Sequence, residues 1–139
     1  MIIENKIKEL VKEAYWVRDE NCCIALIKTI SDIFSLDISG ELISAAAALP
    51  GAGRFGAQCG LITGGIMIIG IIGKSQQKSN DEIRNISYNY SKMFFEKYYS
   101  LMCKELRPQG FASDNPPHLC EKLTVEAAID LYKLIDSHK

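Results

Sequence analysis

The chain has 139 residues, 47% hydrophobic and 24% charged, with sixteen Lys+Arg against seventeen Asp+Glu. That is a globular composition, and a net charge of −1 excludes a general nucleic-acid or anionic-membrane binder, which needs a basic surface. Five cysteines are too few for a disulfide scaffold at this length, yet they are the most unusual count in the composition.

The N-terminus, Met1-Ile2-Ile3-Glu4-Asn5-Lys6-Ile7-Lys8, lacks a basic region followed by a continuous apolar core, so no signal peptide is expected. Apolar residues recur with a helical period almost everywhere, and strand-like alternation is absent. Ile3, Ile7, Leu10, Val11, Ala14 and Val17 form one stripe of a first helix over about 3–18. Asp19 or Asn21 can cap a second helix carrying Cys22, Cys23 and residues on to Phe34. Ser39 can cap a third over 40–49, which Pro50 stops. After the loop 51–56 comes an almost wholly apolar helix over about 57–72, expected to be the central one. Its apolar core, 61–73, is interrupted by glycines and shorter than the roughly 20 residues of a membrane span. Asn80 can cap a long helix over 81–106. The stretch 107–117 holds three of the four prolines and reads as a rigid loop, and a last helix opens at Asn115-Pro116 or at Thr124 and runs to about Ser137. The expectation is a single all-α domain over 1–139, five or six helices around a buried glycine-rich one. A cytoplasmic location is expected, where cysteines are more often redox-active or metal-binding than structural.

Gly51-Ala52-Gly53-Arg54-Phe55-Gly56 satisfies G-x-G-x-x-G, but no strand precedes it and no acidic residue follows at the required distance. A dinucleotide site is therefore rejected in favour of a close-packed turn. Gly56, Gly60 and Gly64 are four apart, a spacing that would bare one helix face to a partner helix, a ligand or a second copy of the chain. Arg54 is the only charge between Glu41 and Lys74, and can bind an anion, stabilise a thiolate, cap a helix or make a surface salt bridge. Gly53, Arg54, Gly56 and Gly60 are thus the candidate cofactor-binding residues.

Cys22, Cys59 and Cys120 are expected in the first turns of helices, where the partial positive charge favours thiolate. Cys103, expected near the end of the long helix, lacks that help, although Lys104 and Arg107 are near it in sequence. No C-x-x-C is present, which excludes a thioredoxin motif and a zinc ribbon, so any cluster must be assembled by the fold. His118, two before Cys120, is a weak metal-ligand candidate, and His138 is expected to be solvated in the tail. Tyr88, Tyr90, Phe94, Phe95, Tyr98 and Tyr99 cover more than one face of their helix, so some should point outward, toward a pocket or a homodimer partner.

Asn21-Cys22, the glycine loop leading into Cys59-Gly60-Leu61-Ile62-Thr63-Gly64, then Cys103 and Cys120, resemble the redox-active C_GCAxxG_C_C family. This is a bacterial and archaeal group of about this length, marked by four cysteines and a C-G-A-x-x-G motif. By the resemblance, Cys22, Cys59, Cys103 and Cys120 are the four, and Cys23 is extra. Leu61 replaces the motif's alanine, and Cys23 stands where alanine usually follows the first cysteine. The resemblance implies redox function without naming a reaction or substrate.

Three readings follow. In the first, a thiol-based oxidoreductase, Cys59 is the attacking thiolate, Cys22 the favoured resolving partner, and Cys103 with Cys120 a second pair, exchanging electrons with a redox partner; four cysteines permit three pairings, and the sequence does not choose among them. In the second, the same four thiolates bind zinc or iron–sulfur. In the third, the cysteines only pack.

Overall fold

The computed structural model describes residues 2–139, and among them the only regular elements are helices. α1 (Ile2–Trp16) buries Ile7, Val11, Ala14 and Tyr15, the stripe that its periodicity predicts. α2 (Cys22–Ile33) is capped by Asn21, whose side-chain oxygen accepts from the Ile24 N–H at 2.9 Å. α3 (Gly40–Ala45) is capped by Ser39. α4 (Gly51–Arg54) is a single turn, α5 (Gly60–Ser75) the apolar helix, and α6 (Asn80–Tyr98) the aromatic one. α7 (Cys103–Leu106) is another single turn, and α8 (Glu121–Ser137) closes the bundle. The five long helices share one hydrophobic core. α5 packs on α2, α6 and α8, while α1 lies against α2 and α8, so α2 and α5 form the central pair.

Two helices end earlier than the sequence suggests, each because tertiary contacts claim the backbone. α3 stops at Ala45, four residues short of the expected end. The Asn21 amide donates to the carbonyls of Ala46 and Ala47, both at 3.1 Å, so this one side chain caps α2 and ties down the end of α3. α6 stops at Tyr98, not Leu106, because Tyr99 turns left-handed at φ 66°. The chain then pairs with residues 57–59: the Cys59 N–H donates to the Leu101 carbonyl (2.8 Å) and the Cys103 N–H to the Ala57 carbonyl (2.7 Å), around an isolated antiparallel bridge between Gln58 and Met102. The start of α6 also moves by one residue: Ser79 is its cap, in a reciprocal capping box with Glu82.

The glycines of α5 face two neighbours. A Cβ at Gly60 would stand 2.6 Å from Cys22 Sγ, and one at Gly64 3.0–3.2 Å from atoms of Cys23, so these two admit α2. Gly65 and Gly73 admit α6: their Cβ atoms would meet the Tyr90 ring at 2.3 Å and Ile83 at 2.6 Å. Gly56 lies outside α5 and leaves the expected three-glycine stripe with two members.

Gly65→Ala and Gly70→Ala should therefore act in opposite directions. At Gly65 the buried Tyr90 ring must move, costing about 1–3 kcal/mol. At Gly70 a Cβ meets nothing within 4 Å, and the better helix former should stabilise by about 0.5–1 kcal/mol. Urea unfolding of the two variants checks both signs.

Candidate functional site

The four cysteines of the family pattern arrive from four segments. Cys22 is the first residue of α2, Cys59 the N-cap of α5, Cys103 the first residue of α7, and Cys120 the N-cap of α8. The position of Cys103 differs from the expected one. The early end of α6 releases it into its own turn, and the bridge to residues 57–59 holds it beside Cys59.

The surrounding backbone is shaped to let the thiols approach. Cys22 Sγ lies over the bare face of Gly60, next to Pro50. All four residues of α4 have positive φ: Gly51 at 62°, Ala52 at 56°, Gly53 at 72° and Arg54 at 64°. L-residues avoid this region by roughly 1 kcal/mol each, so Ala52 and Arg54 are held there by the rest of the fold. The turn brings Gly51 against Cys103, whose Cβ and Sγ would both be 3.3 Å from a Cβ at that glycine. The Gly56 N–H, at 3.0 Å, and the Ala57 N–H, at 3.2 Å, both donate to the Gly51 carbonyl.

The four thiols lie within electrostatic reach of one another. Burial pushes Cys22 well above the usual thiol range, and Cys59, Cys120 and Cys103 each raise it further. Burial raises Cys59 to about 12, with Cys120 and Cys103 adding to the effect against opposing backbone N–H groups of Leu61 and Ile62. Cys103 is raised by burial and by Cys120, while Arg107 opposes. A helix N-terminus favours thiolate, but a low-dielectric surround disfavours it, and at Cys59 burial prevails. Cys22, Cys59 and Cys103 are therefore protonated at neutral pH. Burial works against Cys59 as the first thiol to react, since it is only 5% exposed. Cys22 and Cys120 are half-buried.

Two buried phenols border the cluster. Tyr15 Oη is 2.8 Å from Thr124 Oγ1, and the thiols of Cys22, Cys120 and Cys59 help raise its pKa, which burial already lifts. Tyr90 donates to the Leu61 carbonyl at 2.8 Å, in the first turn of α5. Nothing in their local sequence links them to the cysteines.

On the outer side, Arg107 Nη1 donates to Cys120 Sγ at 3.8 Å, and its Nε donates to the Gly110 carbonyl at 2.7 Å. Its guanidinium lies over the Phe111 ring, 4.2 Å from the centroid, and that of Arg54 lies over the same ring at 4.8 Å. In sequence Arg107 is close to Cys103; its contact with Cys120 depends on the path of the 107–120 loop.

The remaining candidates have structural settings. Cys23 is fully buried on the core face of α2 against Gly64, and burial raises its thiol to about 11. Gly53 faces open space, the bare side of Gly56 is filled by the Lys104 stem, and that of Gly60 by Cys22 and Pro50. His118 packs beside the rings of Tyr15 and Trp16, with Nε2 3.6 Å from Asp19 Oδ1. His138 is half-buried rather than solvated, and its carbonyl accepts from Lys78 Nζ. Tyr90 and Phe94 point inward, while Tyr88, Phe95 and Tyr99 are exposed. None of the cysteines lines the cleft of about 340 Å³ bounded by Leu10, Glu13, Arg18, Lys28 and Asp32 among others.

All five cysteines are free thiols, and among the described residues no three His, Cys, Asp or Glu groups stand close enough to hold a metal ion. The sulfurs are neighbours rather than bonded partners or a closed ligand set. No helix among the described residues is long and apolar enough to cross a membrane. Residues 20–134 match the family model described as "Putative redox-active protein (C_GCAxxG_C_C)". No curated protein and no solved structure matches the chain.

The raised thiols set the pH dependence. With Cys59 at about 12, its alkylation rate in the folded protein should climb about tenfold per pH unit from 7 to 10, where an ordinary thiol levels off above about 8.5. Because the folded state holds these protons more tightly than the unfolded chain, their stabilising contribution is complete below about pH 8.5. It is lost as pH rises toward 12. Timed alkylation with peptide mapping checks the first effect, and urea unfolding at pH 7 and pH 10 checks the second.

Proposed function

The chain belongs to the C_GCAxxG_C_C family of redox-active proteins, and from that premise we propose that it exchanges thiols for disulfides among Cys22, Cys59, Cys103 and Cys120. The observation that carries this reading is the mutual electrostatic reach of four thiols brought from four separate segments to the start of α5. Packing alone gives cysteines no reason to gather, and Cys23 illustrates a cysteine that serves the core.

The chemistry suits a buried setting. Forming one disulfide removes two electrons and two protons from two thiols, and an acceptor disulfide takes both as it becomes two thiols. Neutral thiols at the start and a neutral disulfide at the end leave no buried charge in either resting state. Only the attacking sulfur must ionise, and only transiently. Bond formation requires the sulfurs to close on one another. A reducing cytoplasm would keep the resting form as thiols.

Metal ligation is the second reading, favoured by the same gathering of four soft ligands. It would require all four thiols to ionise and to converge further than they do, which makes it the weaker of the two.

Mild treatment with a disulfide oxidant should lower the intact mass by about 2 Da for each disulfide formed. Cys23→Ala should keep that change, whereas Cys22→Ala, Cys59→Ala, Cys103→Ala or Cys120→Ala should each remove one disulfide. A mass that never changes, with all five thiols still alkylated afterwards, would contradict thiol–disulfide exchange. Stoichiometric zinc or iron that protects the thiols from alkylation would favour the metal reading instead.

A further inference from the structure

We infer that Cys120, Arg107 and Arg54 form the substrate end of this site, and that it takes a low-molecular-weight disulfide carrying carboxylates. The inference rests on the thiol–disulfide reading and adds which thiol meets the substrate and what chemistry the substrate carries.

Three observations combine. First, Cys120 is half-buried, whereas Cys59 and Cys103 are 5% and 8% exposed, so an outside molecule reaches Cys120 more readily than those two. Second, Cys120 is a cysteine whose sulfur a cation touches: Arg107 Nη1 is 3.8 Å from Sγ. A guanidinium there can hold a carboxylate of the incoming molecule beside the sulfur that attacks. Third, Arg54 and Arg107 are both drawn over the ring of Phe111, at 4.8 and 4.2 Å. Among the described residues neither makes a salt bridge to a carboxylate.

Two like charges drawn to one aromatic ring repel each other, and in a protein of net charge −1 they are locally unbalanced. The missing counter-charge is what an incoming carboxylate supplies, with the planar guanidinium fork matched to its two oxygens. Arg54 is exposed and reaches this ring from the left-handed turn α4, so the strained backbone places a cation at the site. Lys104, also exposed and without a salt bridge among the described residues, packs its stem on Gly56 beside the same turn.

The step balances as follows. Cys120 gives up its proton, and the thiolate attacks one sulfur of the substrate disulfide. The substrate S–S bond breaks, a mixed disulfide forms, and the leaving thiolate takes up a proton as the first thiol product. A second cysteine of the cluster then attacks Cys120 Sγ and releases the other half as the second thiol. Two protein thiols are oxidised to a disulfide, and the substrate disulfide is reduced to two thiols.

The test compares the dianionic disulfide 5,5′-dithiobis(2-nitrobenzoate) with the neutral 2,2′-dithiodipyridine on the reduced full chain at low salt. Arg107→Gln and Arg54→Gln should each slow the dianionic reagent about tenfold and leave the neutral one within about twofold. Arg107→Lys should recover most of the loss. Mapping of the first mixed disulfide should find it on Cys120. An equal slowing with both reagents, no slowing with either, or a first adduct on another cysteine overturns the inference. Folding failure is distinguished by the neutral reagent, which an unfolded chain attacks at all five thiols. Release of a second thionitrobenzoate after the first reports closure of the internal disulfide. Its absence would count against the thiol–disulfide reading while leaving the charge selectivity of the first step measurable.

Discussion

The absence of a Cβ at Gly60 is the constraint on which the site depends. A methyl group there would stand 2.6 Å from Cys22 Sγ and 3.0 Å from Pro50. With hydrogen alone, α2 settles onto the start of α5, and Gly64 continues the contact one turn later beneath Cys23. Seating Pro50 there sets where the left-handed turn begins, and that turn lays Gly51 against Cys103. Thus one close helix contact governs where three of the four thiols can be. The fourth arrives on α8, which packs against both α2 and α5.

Two effects of opposite sign act on the gathered thiols. Helix starts stabilise negative charge, and burial resists it. At Cys59 burial prevails, which gives a resting state of neutral thiols in an apolar core. Such a cluster suits coupled transfer of electrons and protons better than permanent thiolates. Among the described residues a cation meets the cluster only at the rim, where Arg107 donates to Cys120 Sγ.

Much of the fold was legible in the sequence because it follows from local rules. Asn21 and Ser39 cap the helices expected of them, and the stripe from Ile7 to Ala14 is buried as its spacing predicts. The ends of α3 and α6 were not legible, because long-range hydrogen bonds set them: Asn21 takes the carbonyls of Ala46 and Ala47, and the 57–59 segment takes the chain after Tyr99. The glycine loop announced a turn, but four consecutive positive φ angles, two of them at Ala52 and Arg54, carry no local signature. The four cysteines were legible as a set through the family pattern, which also excluded Cys23. Their burial, the displacement of Cys103 into α7 and the contact between Arg107 and Cys120 belong to the tertiary structure alone.

A redox titration tests the central claim most directly. The protein is equilibrated in thiol–disulfide buffers of stepped potential, and free thiols are counted by quenched alkylation at each step. The predicted result is a reversible loss of thiols in pairs, each transition shifting tenfold in about 30 mV as a two-electron couple does, with Cys23 free throughout. Five free thiols at every potential would contradict the account.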